Sequence, residues 1–329
     1  MKVRIVTEKE LRQCVTLDMD AFKAVSRGYS LLSEGKATQP PIMRIDIHDR
    51  NGEVDVKTAY VHGLDHFAIK IASGFQDNRL KGLPTSCGIM IVYNAHTGYP
   101  EAFLLDNVYL TSVRTGIAGS IAAQYLAPAS IHTAGVIGSG RQARYQIQGL
   151  HLVRNFQRLL IYGVIPEEID RYIQDMSAEL GIEVIQAASA EEVVRRSQFV
   201  VTTTPSHSPY LQADWLHPGL HITCMGSDAP HKQELFPEVF KKADLICCDS
   251  KDAVFRLGEI HHAMEAGILT PDSPITELGE LTSGKKTGRQ NDDEFTICDL
   301  VGVGVQDTSI ALLAYQRVLE RGLGIEIEN

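Results

Sequence analysis

Long hydrophobic runs are missing from this sequence: no stretch approaches the roughly 18 apolar residues that a membrane-spanning helix requires. Basic residues are in short supply as well. Lys and Arg number 31 against 41 Asp and Glu, a net charge of −10. That argues against a general binder of nucleic acid or of anionic membranes, both of which favour basic surfaces, but leaves room for a small anion held by a few local cations. Cysteine is sparse. Its six positions (Cys14, Cys87, Cys224, Cys247, Cys248 and Cys298) contain no CxxC and no zinc spacing. Leu245-Ile246-Cys247-Cys248 reads instead as a buried run with reduced thiols. The opening residues meet Glu8 without forming a signal-peptide core, so a cytoplasmic, metal-free protein is expected. What is present is ordinary for a folded chain: 329 residues, 44% hydrophobic and 22% charged, which suggests about two domains.

Two regimes of patterning follow one another. After a short strand, residues up to 35 read as helical: Ala21, Phe22, Val25, Tyr29 and Leu32 recur at three and four, with Thr16 or Asp18 as cap and Gly35 as stop. Residues 40–106 alternate as strands at 42–47, 54–60, 67–71, 87–93 and 102–105, separated by turns such as Asn51-Gly52 and Thr97-Gly98. Short turns between consecutive strands predict a mainly antiparallel sheet. A helix rich in small residues spans 111–126. From about 131 apolar runs at 133–137, 159–162, 182–185, 199–203, 221–225 and 245–248 alternate with helical or loop segments. That spacing implies crossovers and a parallel sheet. Residues 282–293 read as a polar, flexible insert, and 308–321 as a last helix.

Gly138-Ser139-Gly140-Arg141-Gln142-Ala143 follows the run Val136-Ile137 directly and opens a helix. In GxGxxA the first glycine allows the tight turn, the second admits a pyrophosphate to backbone N–H groups, and the small sixth residue lets helix and strand pack closely. This predicts a dinucleotide site. The second strand ends Tyr162-Gly163-Val164, with neither acid nor arginine at its tip. NAD is the better match, and Arg141 keeps NADP open.

Five ordered segments carry a resemblance: Phe67–Ile71 with Asn78 downstream, Leu110–Thr115, Gly138–Gln142, Met225–Glu234 and Gly304–Asp307. On these the chain resembles the ornithine cyclodeaminase/mu-crystallin family over nearly its whole length. Within it, Gly52–Tyr60 looks most like the ectoine-utilization branch. The resemblance implies a Rossmann-type α/β domain with a parallel sheet (128–304), and an α+β substrate-binding and dimerisation domain built from 1–127 and 305–329. It also implies a homodimer and an active site in the interdomain cleft. The implied activity is an NAD(P)-dependent cyclodeaminase-like reaction on a small amino acid through an imine. Alternatives in the same family are an imine reductase or amino-acid dehydrogenase, and a mu-crystallin-like binding protein.

The family's carboxylate clamp falls on Arg44, Lys70 and Arg114. Arginine can grip a carboxylate through two parallel hydrogen bonds, and Lys70 alternates with Ile69 and Ile71, so it faces away from them. The structural alternatives are a solvated strand lysine and a surface helix arginine. The cofactor set is expected at Thr115, Gly138, Ser139, Gly140, Arg141, Gln142, Thr203, Met225 and Gly226. Asp228, after a parallel strand, is the candidate acid/base together with Lys70; the alternative is an Asp capping the next helix. Gln306 and Asp307 precede the last helix and could cap it or serve the site. His261, His262 and Glu265 read as a solvated helix face, and Cys87 and Cys224 as non-catalytic.

One departure bears on specificity. The family's ornithine enzymes carry a glutamate and then a methionine where this chain has Asp55 and Lys57, which share a strand face. Lys57 suits a second carboxylate, an acyl oxygen or a hydroxyl better than a distal ammonium. Ornithine is therefore expected to be a poor substrate, and a diaminobutyrate- or aspartate-like compound a better one. The alternative is an ion pair from Lys57 to Asp55 or Glu53.

Overall fold

The computed structural model describes residues 2–328, which divide into two units: everything up to Arg114 together with Val303 onward, and Thr115–Gly302.

The first unit opens with β1 (Lys2–Thr7), α1 (Glu8–Cys14), α2 (Met19–Ser33) and β2 (Ala37–Thr38). Asp18 caps α2 by accepting from the Asp20 and Ala21 N–H groups, and Gly35, at φ +71°, follows its end. Strands β3 (Met43–Ile47), β4 (Gly52–Val61), β5 (His66–Phe75), β6 (Ser86–Asn94) and β7 (Pro100–Leu105) come next. These overlap all five anticipated strands. The helix α3 (Tyr109–Leu126) follows.

The second unit contributes β8 (Thr133–Ile137), α4 (Arg141–Val153), β9 (Arg158–Tyr162), α5 (Pro166–Leu180), β10 (Glu183–Gln186), α6 (Ala190–Arg196), β11 (Phe199–Thr202), β12 (His221–Cys224) and β13 (Leu245–Cys248). It ends with α7 (Lys251–Val254), α8 (Gly258–Glu265), β14 (Ile275–Glu277), α9 (Leu278–Thr282) and β15 (Thr296–Asp299). The chain closes in the first unit with α10 (Gly304–Arg321) and β16 (Ile325–Glu328).

The second unit's sheet is parallel throughout, in the order β10-β9-β8-β11-β12-β15-β13-β14. This is the anticipated α/β class. Strands β14 and β15 were not anticipated: they span three and four residues, with polar residues inside or at both ends, so no apolar run announces them. Residues 282–293 are tied down rather than loose. Arg289 donates to the carbonyls of Leu126, Leu220 and Glu294 and to the Thr296 hydroxyl.

The first unit's sheet runs β16-β1-β7-β6-β5-β4-β2 with β3 on β4, antiparallel except where β1 meets β7. Burial alternates along it. Ala59, Ala68, Met90, Val92, Ala102 and Leu104 are fully buried. The intervening Val56, Phe67, Ile69, Ile71, Ile91 and Phe103 are only half-buried, and Met43 and Ile45 are 54% and 52% exposed. One face is thus core, and the other is an apolar surface. Helix α10 starts four residues earlier than anticipated, at Gly304, where a Cβ would lie 2.1 Å from the Thr58 carbonyl oxygen. The bare glycine lets the helix start lie against β4. Gln306 and Asp307 therefore do not precede the helix; they sit in its first turns, fully buried.

Candidate functional site

In the first unit the covered sheet face carries charge where it runs past the start of α10. Lys57 and Lys70 are directly opposite each other on β4 and β5 and are 8% and 3% exposed. Asp307 binds two cations: Arg114 Nε donates to Oδ1 at 2.8 Å, and Lys70 Nζ lies 3.2 Å from Oδ2. Arg114 Nη1 also donates to Gln306 Oε1 at 3.2 Å. Both structural alternatives fail here, since neither Lys70 nor Arg114 is solvated.

The protonation of this cluster follows from its burial. Loss of water pushes the Lys70 ammonium down to about 7; Arg114 and Lys57 push the same way, while Asp307 opposes them. Burial acts to raise the Asp307 carboxyl, but Arg114, Lys70 and Lys57 outweigh it and hold it below the usual carboxylate range. A lysine that titrates near neutrality inside a protein is poised for proton transfer.

Arg44 belongs to the same face, opposite Asp55 in the β3–β4 register, but it is not open to a ligand on every side. Its Nε donates to Asp46 at 2.9 Å, Nη2 donates to Glu53, and Nη1 lies 3.6 Å from Asp55. Glu53 and Asp55, the partners offered to Lys57 as an alternative, are both engaged by Arg44. Ala72 and Gly88 continue the Arg44–Asp55 row across β5 and β6.

Asp106, which the sequence did not single out, is 1% exposed just before α3. Its Oδ2 accepts from the Leu110 N–H at 2.9 Å. Burial raises its carboxyl to about 6 against the pull of backbone donors and Lys70. Asn107 and Val108 beside it both adopt positive φ, 47° and 62°. For a β-branched residue that is a strained conformation.

In the second unit, the GxGxxA turn links β8 to α4 as anticipated. Gly138 is at φ +112°, and a Cβ there would lie 2.4 Å from Thr203 Oγ1; a Cβ at Gly140 would meet nothing within 4 Å. Thr203 Oγ1 donates to the Ile137 carbonyl at 3.1 Å. Gln142 Oε1 is buried with no hydrogen-bond partner among the described residues. A glycine at positive φ, open space beside the second glycine and an orphan polar atom fit a dinucleotide. Thr115 sits 7% exposed, its carbonyl accepting from Gln146 Nε2. Ser139 donates to Glu168 Oε2 at 3.1 Å, so an acid lies beside the cradle although none stands at the tip of β9.

The loop after β12 depends on an acid that sequence reasoning passed over. Glu234 is fully buried. It accepts from the Thr202 and Thr204 hydroxyls, the Tyr210 hydroxyl and the N–H groups of Thr204 and Gly226. Glu259 in turn accepts from the Glu234 and Leu235 N–H groups, and Asp299 from that of Ile260. Burial raises all three carboxyls. The only hint in sequence was the position of Glu234 within the Met225–Glu234 segment. Met225 N–H donates to the Thr202 carbonyl, and a Cβ on Gly226 would lie 2.3 Å from the Thr204 carbonyl oxygen. Asp228 is 53% exposed and accepts from Lys232 Nζ at 2.5 Å. No helix starts immediately after it, so the capping alternative drops out.

His261 and His262 are not solvated as anticipated: their side chains are 19% and 14% exposed, and they donate to the carbonyls of Phe255 and Lys232. Their ligand atoms and one of Glu265 lie within 4.8 Å of one another. No helix among the described residues is long and apolar enough to cross a membrane.

Residues 1–322 match the ornithine cyclodeaminase/mu-crystallin family. The chain belongs to that family. A relative described as an uncharacterized cyclodeaminase from Sinorhizobium fredii is 44% identical over 328 residues, covering 99% of each chain. Among solved structures, an archaeal alanine dehydrogenase dimer with bound NAD superposes with a TM-score of 0.93 at 33% identity, covering 100% of this chain and 99% of that one. The iminosuccinate reductase of Paracoccus denitrificans in complex with NAD⁺ gives 0.91 at 28% identity, with 100% of both chains covered.

Proposed function

We propose that this chain is an NAD(H)-dependent oxidoreductase that interconverts a small amino acid and its imine. The observation that carries the reading is Lys70, buried 3.2 Å from the Asp307 carboxylate that also holds Arg114; burial pushes its ammonium down to about 7. The Gly138 cradle and the NAD-bound family structures supply the cofactor argument. Glu168 beside Ser139 would repel a 2′-phosphate, which supports NAD over NADP.

Bound at the cradle, a nicotinamide supplies a hydride acceptor or donor for the substrate α-carbon. The protein's own groups do the rest. Arg114 attracts the α-carboxylate and fixes the α-carbon. Lys70 Nζ accepts the proton that the α-ammonium must lose before an imine can form, and returns one in the reducing direction. Asp307 holds both cations in place. Asp228, exposed and tied to Lys232, is the second candidate for handling protons on the substrate nitrogen.

Cyclodeamination is the finer alternative, and it requires a second amine on the substrate. Recording ammonia release and nicotinamide absorbance together decides between them, using NAD⁺ with ornithine, 2,4-diaminobutyrate, alanine and aspartate. Ammonia matched by NADH supports the proposal. Ammonia without net NADH means the hydride is returned internally and replaces the proposal with cyclodeaminase. Silence in both channels with every substrate overturns it in favour of a binding role. A part in ectoine breakdown rests on the Gly52–Tyr60 resemblance alone. Pairing of two copies through the apolar face of the first unit's sheet is the assembly this reading expects.

A further inference from the structure

We infer that the last turn of α8 binds one zinc-like divalent cation through His261, His262 and Glu265, a site that the redox reaction proposed above does not use. Glu265 stands four residues after His261 and three after His262, so both histidines are its neighbours on the helix surface. The two ring centroids are 5.2 Å apart, and the ligand atoms of all three side chains fall within 4.8 Å of one another.

Each ring is held from behind. His261 Nδ1 donates to the Phe255 carbonyl at 3.3 Å, and His262 Nε2 to the Lys232 carbonyl at 2.8 Å. A carbonyl oxygen only accepts, so these nitrogens carry the protons of the neutral rings, and the other two keep their lone pairs. His261 Nε2 and His262 Nδ1 then face Glu265 oxygens at 3.5 and 3.7 Å. Those separations are too long for hydrogen bonds, whose usual length is about 2.9 Å. They come close to the roughly 3.3–3.4 Å between neighbouring ligands of a tetrahedral ion with bonds of about 2.0–2.1 Å. Three electron-pair donors turned toward one another repel unless a cation stands among them. A backbone carbonyl on the second ring nitrogen is also the usual support of a metal-binding histidine.

The surroundings favour such an ion. The carbonyls at a helix C-terminus present negative partial charge, and Ala266 closes α8 directly after Glu265. The rings are mostly covered while Glu265 is exposed, which leaves an entry path and a fourth position for water. Two imidazoles and one carboxylate suit zinc, cobalt or nickel, whereas calcium and magnesium call for oxygen shells. What the ion would do follows from what His262 holds. The Lys232 carbonyl also accepts from the Ser227 hydroxyl at 2.5 Å, and Lys232 Nζ donates to Asp228. An ion that fixes His262 stiffens the 227–232 loop that carries Asp228.

The test uses the purified full-length protein, stripped with EDTA and dialysed, then titrated calorimetrically with zinc chloride or magnesium chloride. Zinc should bind and magnesium should not. Losing a supporting partner of a metal ligand costs about 10–100-fold in affinity, so losing a ligand should cost at least tenfold. His261→Gln and Glu265→Gln should each lose one equivalent of zinc or bind it at least about ten times more weakly.

Glu265→Gln alters an exposed side chain, and its melting temperature without metal should match that of the wild type. Zinc should raise the melting temperature of the wild type by mass action and leave that of Glu265→Gln in place. Absence of zinc binding, equal binding of magnesium, or zinc binding that is unchanged in both variants and so belongs to other side chains, overturns the inference.

Discussion

The two sheets bury acids in opposite ways. In the first unit Asp307 is surrounded by cations, and its carboxyl is held below the usual range. In the second, Glu234, Glu259 and Asp299 are wrapped in hydroxyl and backbone N–H donors, and their carboxyls rise. An acid matched by mobile-proton partners makes a site whose charge can change during a reaction. An acid matched by neutral donors fixes loop geometry: the bonds to Glu234 hold Thr204, Tyr210 and Gly226 in one arrangement beside the strand ends. Chemistry and scaffolding thus use the same residue type, and the surroundings decide which it does.

Substitutions on either side sharpen this contrast. Lys70→Met removes the proton carrier while keeping most of its volume, and kcat/KM should fall about 10³-fold, the usual weight of general acid–base catalysis. Its melting temperature should change little, because an awkward buried charge leaves with it. Glu234→Ala should do the reverse. Five donors lose their acceptor, and thermal or denaturant unfolding should report a loss of about 3 kcal/mol. If Glu234→Ala proved as stable as wild type, the scaffolding role would be wrong.

The sheets differ in coverage as well. Ile91→Lys places a charge on the half-buried apolar face of β6, and light scattering should record a halved particle mass if copies pair there. The matching test in the second unit is Gly138→Ala, at φ +112° and against Thr203. Strain of about 1–3 kcal/mol should weaken NADH binding about tenfold or more in a fluorescence titration.

The smallest effect is on the pH profile. In the amine-oxidising direction Lys70 must be neutral, so kcat/KM should rise through about pH 7. Removing a neighbouring cation favours the protonated form, and Lys57→Met should move that limb to higher pH. A limb that stays in place would show that Lys57 does not act on Lys70.

Much of this was readable from sequence, and what escaped it has a common cause. The strands of the first unit declared themselves because one face is core and the other half-buried, which writes a period of two into Gly52–Val61 and Ser86–Asn94. The GxGxxA turn was legible because backbone geometry leaves few residues able to occupy Gly138. Strand β15 was not: Thr296-Ile297-Cys298-Asp299 has only two apolar residues between polar ends, so no apolar run marks it and it looks like loop. Glu234 was illegible for a related reason. Most of what stabilises it comes from N–H groups and hydroxyls scattered between residues 202 and 226, and such donors carry no identity in sequence. Asp307 was assigned a place before α10 because nothing local showed that Gly304 could lie against the Thr58 carbonyl.

Five of the six cysteines are buried and Cys87 alone is exposed, at the start of β6 opposite Ser73. Burial pushes the Cys224, Cys247, Cys248 and Cys298 thiols up, which makes them poor nucleophiles. A maleimide dye should therefore couple to a single position in the unaltered protein. Cys87 shares its strand parity with Ile89 and Ile91, so the label would ride on the apolar sheet face. Its colour and rotational freedom would follow the meeting of two copies in real time, with no engineered residue.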